Sequence, residues 1–362
     1  MSWYGIDVVD KAISRTRRAL FEPFDFWKWV KLAIITFFLG AGSSNFGGSG
    51  NNYRMSSEDL RNIYSSTGVI PKYISHNTFI EKIYSSGTSF SEYVLLIALI
   101  AALILLILLF VYISNVMEFV FVESLVKNDV KFWAFSRKFL GKGFNLLLVR
   151  LALIIIFLVL LGIAALPFIF SIIKTSSDLV WPALLGGIVW IVGAIIVLAL
   201  ILSIISSFIS LAIPISIYRR IGIISALRLV FANFRKSWQQ VLVYWVVRFV
   251  LGLVLGILLL ILFLVVLLVL VIISLVIDGI LYFIFSAVTS DPLNWILLIP
   301  FIFIELLLLF GTLFLLSVPF AVFLKYHLLS FLEAWFAGAD IPFFDAPAPG
   351  TETGLSGPEP TF

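Results

Sequence analysis

Four stretches of this chain, residues 94–117, 151–173, 184–217 and 251–277, contain no charged side chain. Each is long enough to cross about 30 Å of hydrocarbon as a helix rising about 1.5 Å per residue. Composition agrees: 62% of residues are hydrophobic and 12% charged, against about half and about a quarter in soluble domains. Two further runs are interrupted. Residues 295–326 contain Glu305, and residues 24–42 contain Lys28 and Lys31, which leaves 32–41 strictly apolar.

An internal repeat supports the shorter of these runs as a span. Residues 7–42, 126–161 and 224–259 align without a gap, at offsets of 119 and 217. In that register Arg18, Arg137 and Arg235 coincide, and thirteen residues later so do Lys31, Arg150 and Arg248. The second and third copies begin long apolar runs, so the first is expected to begin one too. The reading is an all-α membrane protein of six transmembrane helices, arranged as three parallel two-helix repeats with each repeat preceded by a cytoplasmic amphipathic interfacial helix. The spans are expected at about 24–42, 93–122, 146–173, 183–218, 241–277 and 295–326, within a membrane domain over residues 1–341. In the first interfacial helix Val9, Ile13, Thr16 and Leu20 share one face while Lys11, Arg15, Arg18 and Glu22 fall elsewhere. The third copy sets Ile224, Leu227, Phe231 and Phe234 against Arg228, Arg235 and Lys236; the middle copy mixes Trp133, Phe135 and Phe139 with Arg137 and Lys138. A fourth start, residues 325–338, follows the last span and stops.

Six spans put both termini on one side, and the basic residues choose which. Residues 1–31, 123–150 and 219–248 hold six Lys or Arg each and Lys325 adds one, whereas the opposite connections hold five: Arg54, Arg61, Lys72, Lys82 and Lys174. Cytoplasmic loops carry the excess of basic residues. The expectation is a multi-pass cell-membrane protein with N- and C-terminus in the cytoplasm. Its partners are the bilayer and anionic headgroups on the cytoplasmic side, which account for a net charge of +4 without nucleic acid.

The outer connections differ. Residues 43–92 open with a Gly- and Ser-rich run and then repeat a phrase, Ile63-Tyr64-Ser65-Ser66 and Ile83-Tyr84-Ser85-Ser86, which reads as a small outer cap or a protein-binding surface. The second connection, about 174–182, is a tight turn, and the third, 278–294, reads as a segment lying along the outer interface. Residues 342–362 hold five prolines and only acidic charges, the composition of a disordered cytoplasmic tail. That acidic tail is a second candidate surface for a protein partner.

Among candidate functional residues, Glu305 stands out as the acid well inside an apolar run, where ionisable groups are costly and functional by default. Ser203, Ser206, Ser207 and Ser210 fall at i, i+3, i+4 and i+7, one helical face. Small residues at that spacing favour close helix packing, as Gly252 and Gly256 would in a GxxxG arrangement; the competing reading is a polar lumen shared with Asn115 and Thr312. Lys31, Arg150 and Arg248 are either lipid-headgroup anchors or a ring of three cations facing Glu118 or Glu123, and Arg18, Arg137 and Arg235 form a second aligned set of basic candidates. The chain has no cysteine, which excludes disulfides and thiol chemistry. No GxSxG, HExxH, phosphate-loop or dinucleotide pattern occurs. His76 and His327 are expected on opposite faces of the membrane. No enzymatic activity, metal or cofactor is expected.

Trp3-Tyr4-Gly5-Ile6-Asp7, then Ala12, Thr16-Arg17, Pro23-Phe24, Trp27, Trp29 and Leu32-Ala33, resemble a family of archaeal polytopic membrane proteins of unknown function. The chain is more distantly similar to bacterial membrane families grouped with the membrane domain of glycerophosphodiester phosphodiesterases. The resemblance implies an integral membrane protein whose membrane part is not catalytic, and it transfers no site residue. Together these readings favour a membrane-embedded scaffold or assembly factor, with a transporter or channel for a small or lipidic solute as the alternative.

Overall fold

In the computed structural model, residues 3–42, 90–174, 180–289, 293–336 and 341–345 are described. They form nine helices and no strand among the described residues: α1 (Tyr4–Asp7), α2 (Val9–Phe21), α3 (Phe26–Gly42), α4 (Phe90–Lys127), α5 (Phe132–Lys174), α6 (Val180–Tyr218), α7 (Ile223–Lys236), α8 (Trp238–Ser286) and α9 (Leu293–Trp335). Most of the outer connection 43–92, with both Ile-Tyr-Ser-Ser phrases and His76, lies outside the described residues, as does the tail beyond Asp345.

Five helices, α4, α5, α6, α8 and α9, are long and apolar enough to cross a membrane. The sixth expected span, α3, has 17 residues and is therefore about 26 Å long, short of the hydrocarbon thickness. The long helices run from 38 to 49 residues, or about 57 to 74 Å, so they extend well beyond what a bilayer core requires.

The long helices close a ring. α3 touches α4 and α9, α4 touches α5, α5 touches α6, and α8 touches α9; Trp245 of α8 closes the circuit by donating to Ser207 Oγ of α6 at 2.8 Å. Burial along each helix is uneven. In α4, residues 94–110 are exposed and residues 114–126 are all buried. The same change occurs in α6, buried throughout 208–217, and in α9, buried throughout 325–332. A helix buried on every face lies inside a core, and these three segments touch one another. The core is therefore the C-terminal end of α4, α6 and α9, wrapped by α1, α2, α7 and the starts of α3, α5 and α8.

Local chemistry sets the breaks. Pro23 interrupts α2 and α3, and Asp25 Oδ1 accepts the Trp27 N–H at 2.9 Å to start α3. Asn128 turns the chain between α4 and α5 with φ 55°, a left-handed conformation that Asn tolerates well. Gly143 lets α5 lie against α4, because a Cβ there would sit 2.4 Å from Val116 Cγ2 and 3.0 Å from its Cα.

Several expectations need correction. The middle interfacial helix is not separate, since α5 continues from Phe132 to Lys174 without a break. α8 likewise runs on to Ser286, so residues 278–286 extend a span instead of forming an interfacial loop. The supposed fourth start, from Lys325, is the last part of α9 and holds its most buried residues. Gly252 and Gly256 do not seat a neighbouring helix; a Cβ on either meets nothing within 4 Å. In α2 the buried face is Ala12, Arg15, Thr16, Ala19 and Leu20, so Arg15 lies inside while Ile13 is exposed. The reason is α9, which packs against α2 and brings polar partners for Arg15. At the start of the expected tail, Phe343 is buried and the Phe344 N–H donates to the Val126 carbonyl at 3.0 Å.

Candidate functional site

The buried core holds charge. Glu118 of α4 is 2% exposed and Asn115, one turn earlier, is fully buried. Arg150 of α5 reaches both, with Nη2 2.5 Å from Glu118 Oε2 and Nη1 donating to Asn115 Oδ1. Asn115 completes its amide by donating to the Val111 carbonyl at 2.8 Å. From α9, Lys325 Nζ lies 3.9 Å from Glu118 Oε1. From α8, Arg248 Nη1 donates to the Leu324 carbonyl at 3.1 Å and to Tyr244 Oη at 3.2 Å. Four helices thus converge through three cations and one carboxylate. Burying such ions costs several kcal/mol apiece unless they are paired, so the arrangement survives only because each charge has polar partners on a neighbouring helix.

Two further polar knots flank this centre. Glu123, 1% exposed at its side chain, holds Lys127 at 2.7 Å and Lys138 at 2.8 Å on Oε1, and Tyr218 Oη donates to Oε2 at 3.4 Å. Arg15, 3% exposed at its side chain, bonds Glu333 at 2.9 Å and Asp345 at 3.0 Å. Its guanidinium carbon lies 3.5 Å from the centre of the Phe343 ring, a stacked cation–π contact. Nearby, His327 Nε2 donates to the Gly5 carbonyl at 3.0 Å, and its ring stacks on Tyr244 at 5.5 Å.

The sequence candidates separate into those that gather and those that do not. Glu118, Asn115 and Arg150 meet in the core, and Arg248 reaches the Leu324 carbonyl beside Lys325. Lys31 is exposed on α3 and takes no part; the third cation is Lys325, which the sequence reading counted among the cytoplasmic basic residues after the last span. Its signal was present: residues after Lys325 remain largely apolar to Trp335, so this Lys is flanked by apolar chain on both sides. Arg18, Arg137 and Arg235 are all exposed, and Arg235 stacks over Phe231 at 5.3 Å. The serine row runs from exposed Ser203, through half-buried Ser206 and Ser207, to buried Ser210, whose hydroxyl donates back to the Ser206 carbonyl at 3.1 Å. Thr312 donates to its own helix, to the Leu308 carbonyl at 2.8 Å. Glu305 is half-buried in the otherwise exposed part of α9 and has no hydrogen bond or ion pair among the described residues. Among the described residues no three His, Cys, Asp or Glu side chains gather as a metal site would require.

A family model matches residues 3–341, which covers every helix described above. The chain belongs to the DUF7544 family. This is a family of unknown function, and no curated protein and no solved structure matches the chain. The matched DUF7544 region contains Glu118, Arg150, Arg248 and Lys325; Asp345, one of the two acids on Arg15, follows it.

Proposed function

We propose that this DUF7544 protein is a membrane-embedded scaffold or assembly factor, not a transporter, a channel or an enzyme. It lies across the cell membrane with six spans in three parallel units, α3 supplying the shortest, and with both termini and the charged core on the cytoplasmic side. The observation that carries this reading is the use made of the polar groups on its long helices. Asn115, Ser210 and Thr312, which would line a path, are bonded to an adjacent cation or to their own helix. A conducting lumen needs such groups free to bind a passing solute. Support for the membrane placement comes from the exposed apolar halves: the most apolar window is 0% buried in α4, α6 and α8, so its surroundings are bilayer and partner helices. The resemblance to membrane domains that accompany, but do not perform, phosphodiester hydrolysis points the same way.

Two measurements test it. Proteoliposomes of the wild type and of Glu305→Gln should show equal, background-level fluxes of ions and small solutes; a flux that depends on Glu305 removes the scaffold reading. The chain has no native cysteine, so single cysteines replacing Arg54 and Arg235 report orientation cleanly. They should label from opposite sides of sealed vesicles, and labelling from one side overturns the six-span arrangement.

A further inference from the structure

A cavity of about 200 Å³ opens where the α6–α7 turn meets α5 and α4, lined among others by Phe119, Lys142, Asn145, Arg220, Gly222 and Ile223. Its charge is one-sided. Lys142 donates only to the Ser216 carbonyl, and the Arg220 and Asn145 side chains have no hydrogen bond or ion pair among the described residues. The nearest carboxylate is already engaged: Glu123 gives one oxygen to Lys127 and Lys138 and the other to Tyr218. Half-buried Lys142 and exposed Arg220 therefore line the same space, and neither has an ion pair with an acid among the described residues. Into it also opens the start of α7, a helix of 14 residues whose N-cap is Gly222, with no capping side chain and no acid in its first turn. Its first N–H groups lack a side-chain acceptor and carry the positive end of the helix dipole. The backbone is set for this opening by Arg220, at φ 55°, and a Cβ on Gly222 would meet nothing within 4 Å.

We propose that this cavity binds a phosphate group, carried either by an anionic phospholipid or by a free phosphate. An Arg fork, a Lys point charge and uncapped helix N–H groups converging on one space are the donor set that phosphate oxygens require. Phe119 and Ile223 supply an apolar wall beside it. The site is separate from the Glu118 centre and involves no residue of the expected three-cation ring. It does not depend on the scaffold reading, because binding and flux are measured apart.

The test uses the full chain in an uncharged detergent. Native mass spectrometry follows titration with phosphatidylglycerol, with diacylglycerol as the lipid lacking phosphate, and calorimetry follows inorganic phosphate. Phosphatidylglycerol, inorganic phosphate or both should bind saturably, and diacylglycerol should not compete. Binding of the lipid alone assigns the site to a headgroup; binding of inorganic phosphate that displaces the lipid assigns it to phosphate from either source. The double variant Lys142→Gln/Arg220→Gln should weaken binding about ten- to hundredfold, the loss of charge-assisted hydrogen bonds. Gly222→Asp keeps the test independent of folding: Asp is a favoured N-cap, so thermal stability should hold or rise while the new carboxylate excludes phosphate and binding falls by at least about tenfold. The exposed controls Lys131→Gln and Lys236→Gln should bind as the wild type does. The proposal is overturned if neither phosphate probe saturates, if Gly222→Asp binds as well as the wild type, or if the surface controls lose as much as the cavity variants.

Discussion

α4 contains two regions of different polarity and opposite fate. Residues 94–110 are exposed along their whole length, while residues 114–126, which include Ser114, Asn115, Glu118, Glu123 and Ser124, are buried along theirs. The more polar half is the inner one. In water the hydrophobic effect would reverse this order; in a bilayer an apolar side chain gains little by leaving lipid for protein, and the groups that drive helices together are those that lipid cannot satisfy. Helix association in this protein is therefore expected to depend on its basic, polar end, with the uniform apolar halves serving to hold the chain in the membrane.

The largest test of that contrast is at the charged centre. Arg150→Gln leaves Glu118 with Lys325, 3.9 Å away, as its nearest ion-pair partner. Breaking a buried pair on one side costs about 3–5 kcal/mol, so the variant should unfold at markedly lower temperature or denaturant in detergent. Replacing both members of the pair, Arg150→Gln/Glu118→Gln, removes the unbalanced partner along with the cation and should recover part of the loss. A single variant as stable as the wild type would show that the polar end does not hold the helices together.

Next in size is a pair of leucines on the same helix. Leu125 is 2% exposed and Leu105 72%. Leu125→Ala should cost about 2–5 kcal/mol through lost burial and a residual cavity. Leu105→Ala should stay within about 0.5 kcal/mol, as exposed substitutions do. Equal costs would mean that partner helices pack on the exposed half in the state measured, which chemical crosslinking would then detect. Smaller again is a glycine pair. Gly143→Ala pushes against the Val116 backbone and should cost about 1–3 kcal/mol. Gly252→Ala, in open space, should be neutral or stabilising by up to about 1 kcal/mol through helix propensity.

How much of this was readable from the chain follows the same division. The apolar runs announce themselves by length, and the long helices lie over the expected spans, running through Pro167, Pro214, Pro300 and Pro319, which membrane helices tolerate. Helix ends were harder to place: α5 continues through Gly141 and Gly143, and α8 through Asp278, since a single glycine or acid costs a long helix too little to break it. Arg150 and Arg248 were visible as aligned cations, and both reach the core. Lys31 aligned equally well and stays outside, because alignment reports position along a helix and not which face its neighbours cover. Arg15 was assigned to an outer face on the assumption that α2 has lipid below and water above. Its Glu333 and Asp345 partners lie more than 300 residues later, a distance that no local pattern reveals.

Glu305 gives the smallest expected effect and the sharpest use of the comparison. By sequence it is the outstanding acid of the membrane region; by position it belongs to the exposed half of α9, with no polar partner among the described residues. If polar groups organise this protein only where they meet one another, an isolated carboxyl contributes nothing to folding. Glu305→Gln should then leave stability within about 0.5 kcal/mol, by the same detergent unfolding that registers several kcal/mol for Arg150→Gln. A loss of more than about 2 kcal/mol would mean that Glu305 bonds a group outside the described residues, whether of this chain, of another chain or of lipid. The contrast between the two halves of the helices would then hold for the described residues but not for the assembled protein. Crosslinking from position 305 in native membranes separates these outcomes: adducts with a second polypeptide identify a protein partner, and adducts confined to lipid leave the exposed half in contact with the bilayer alone.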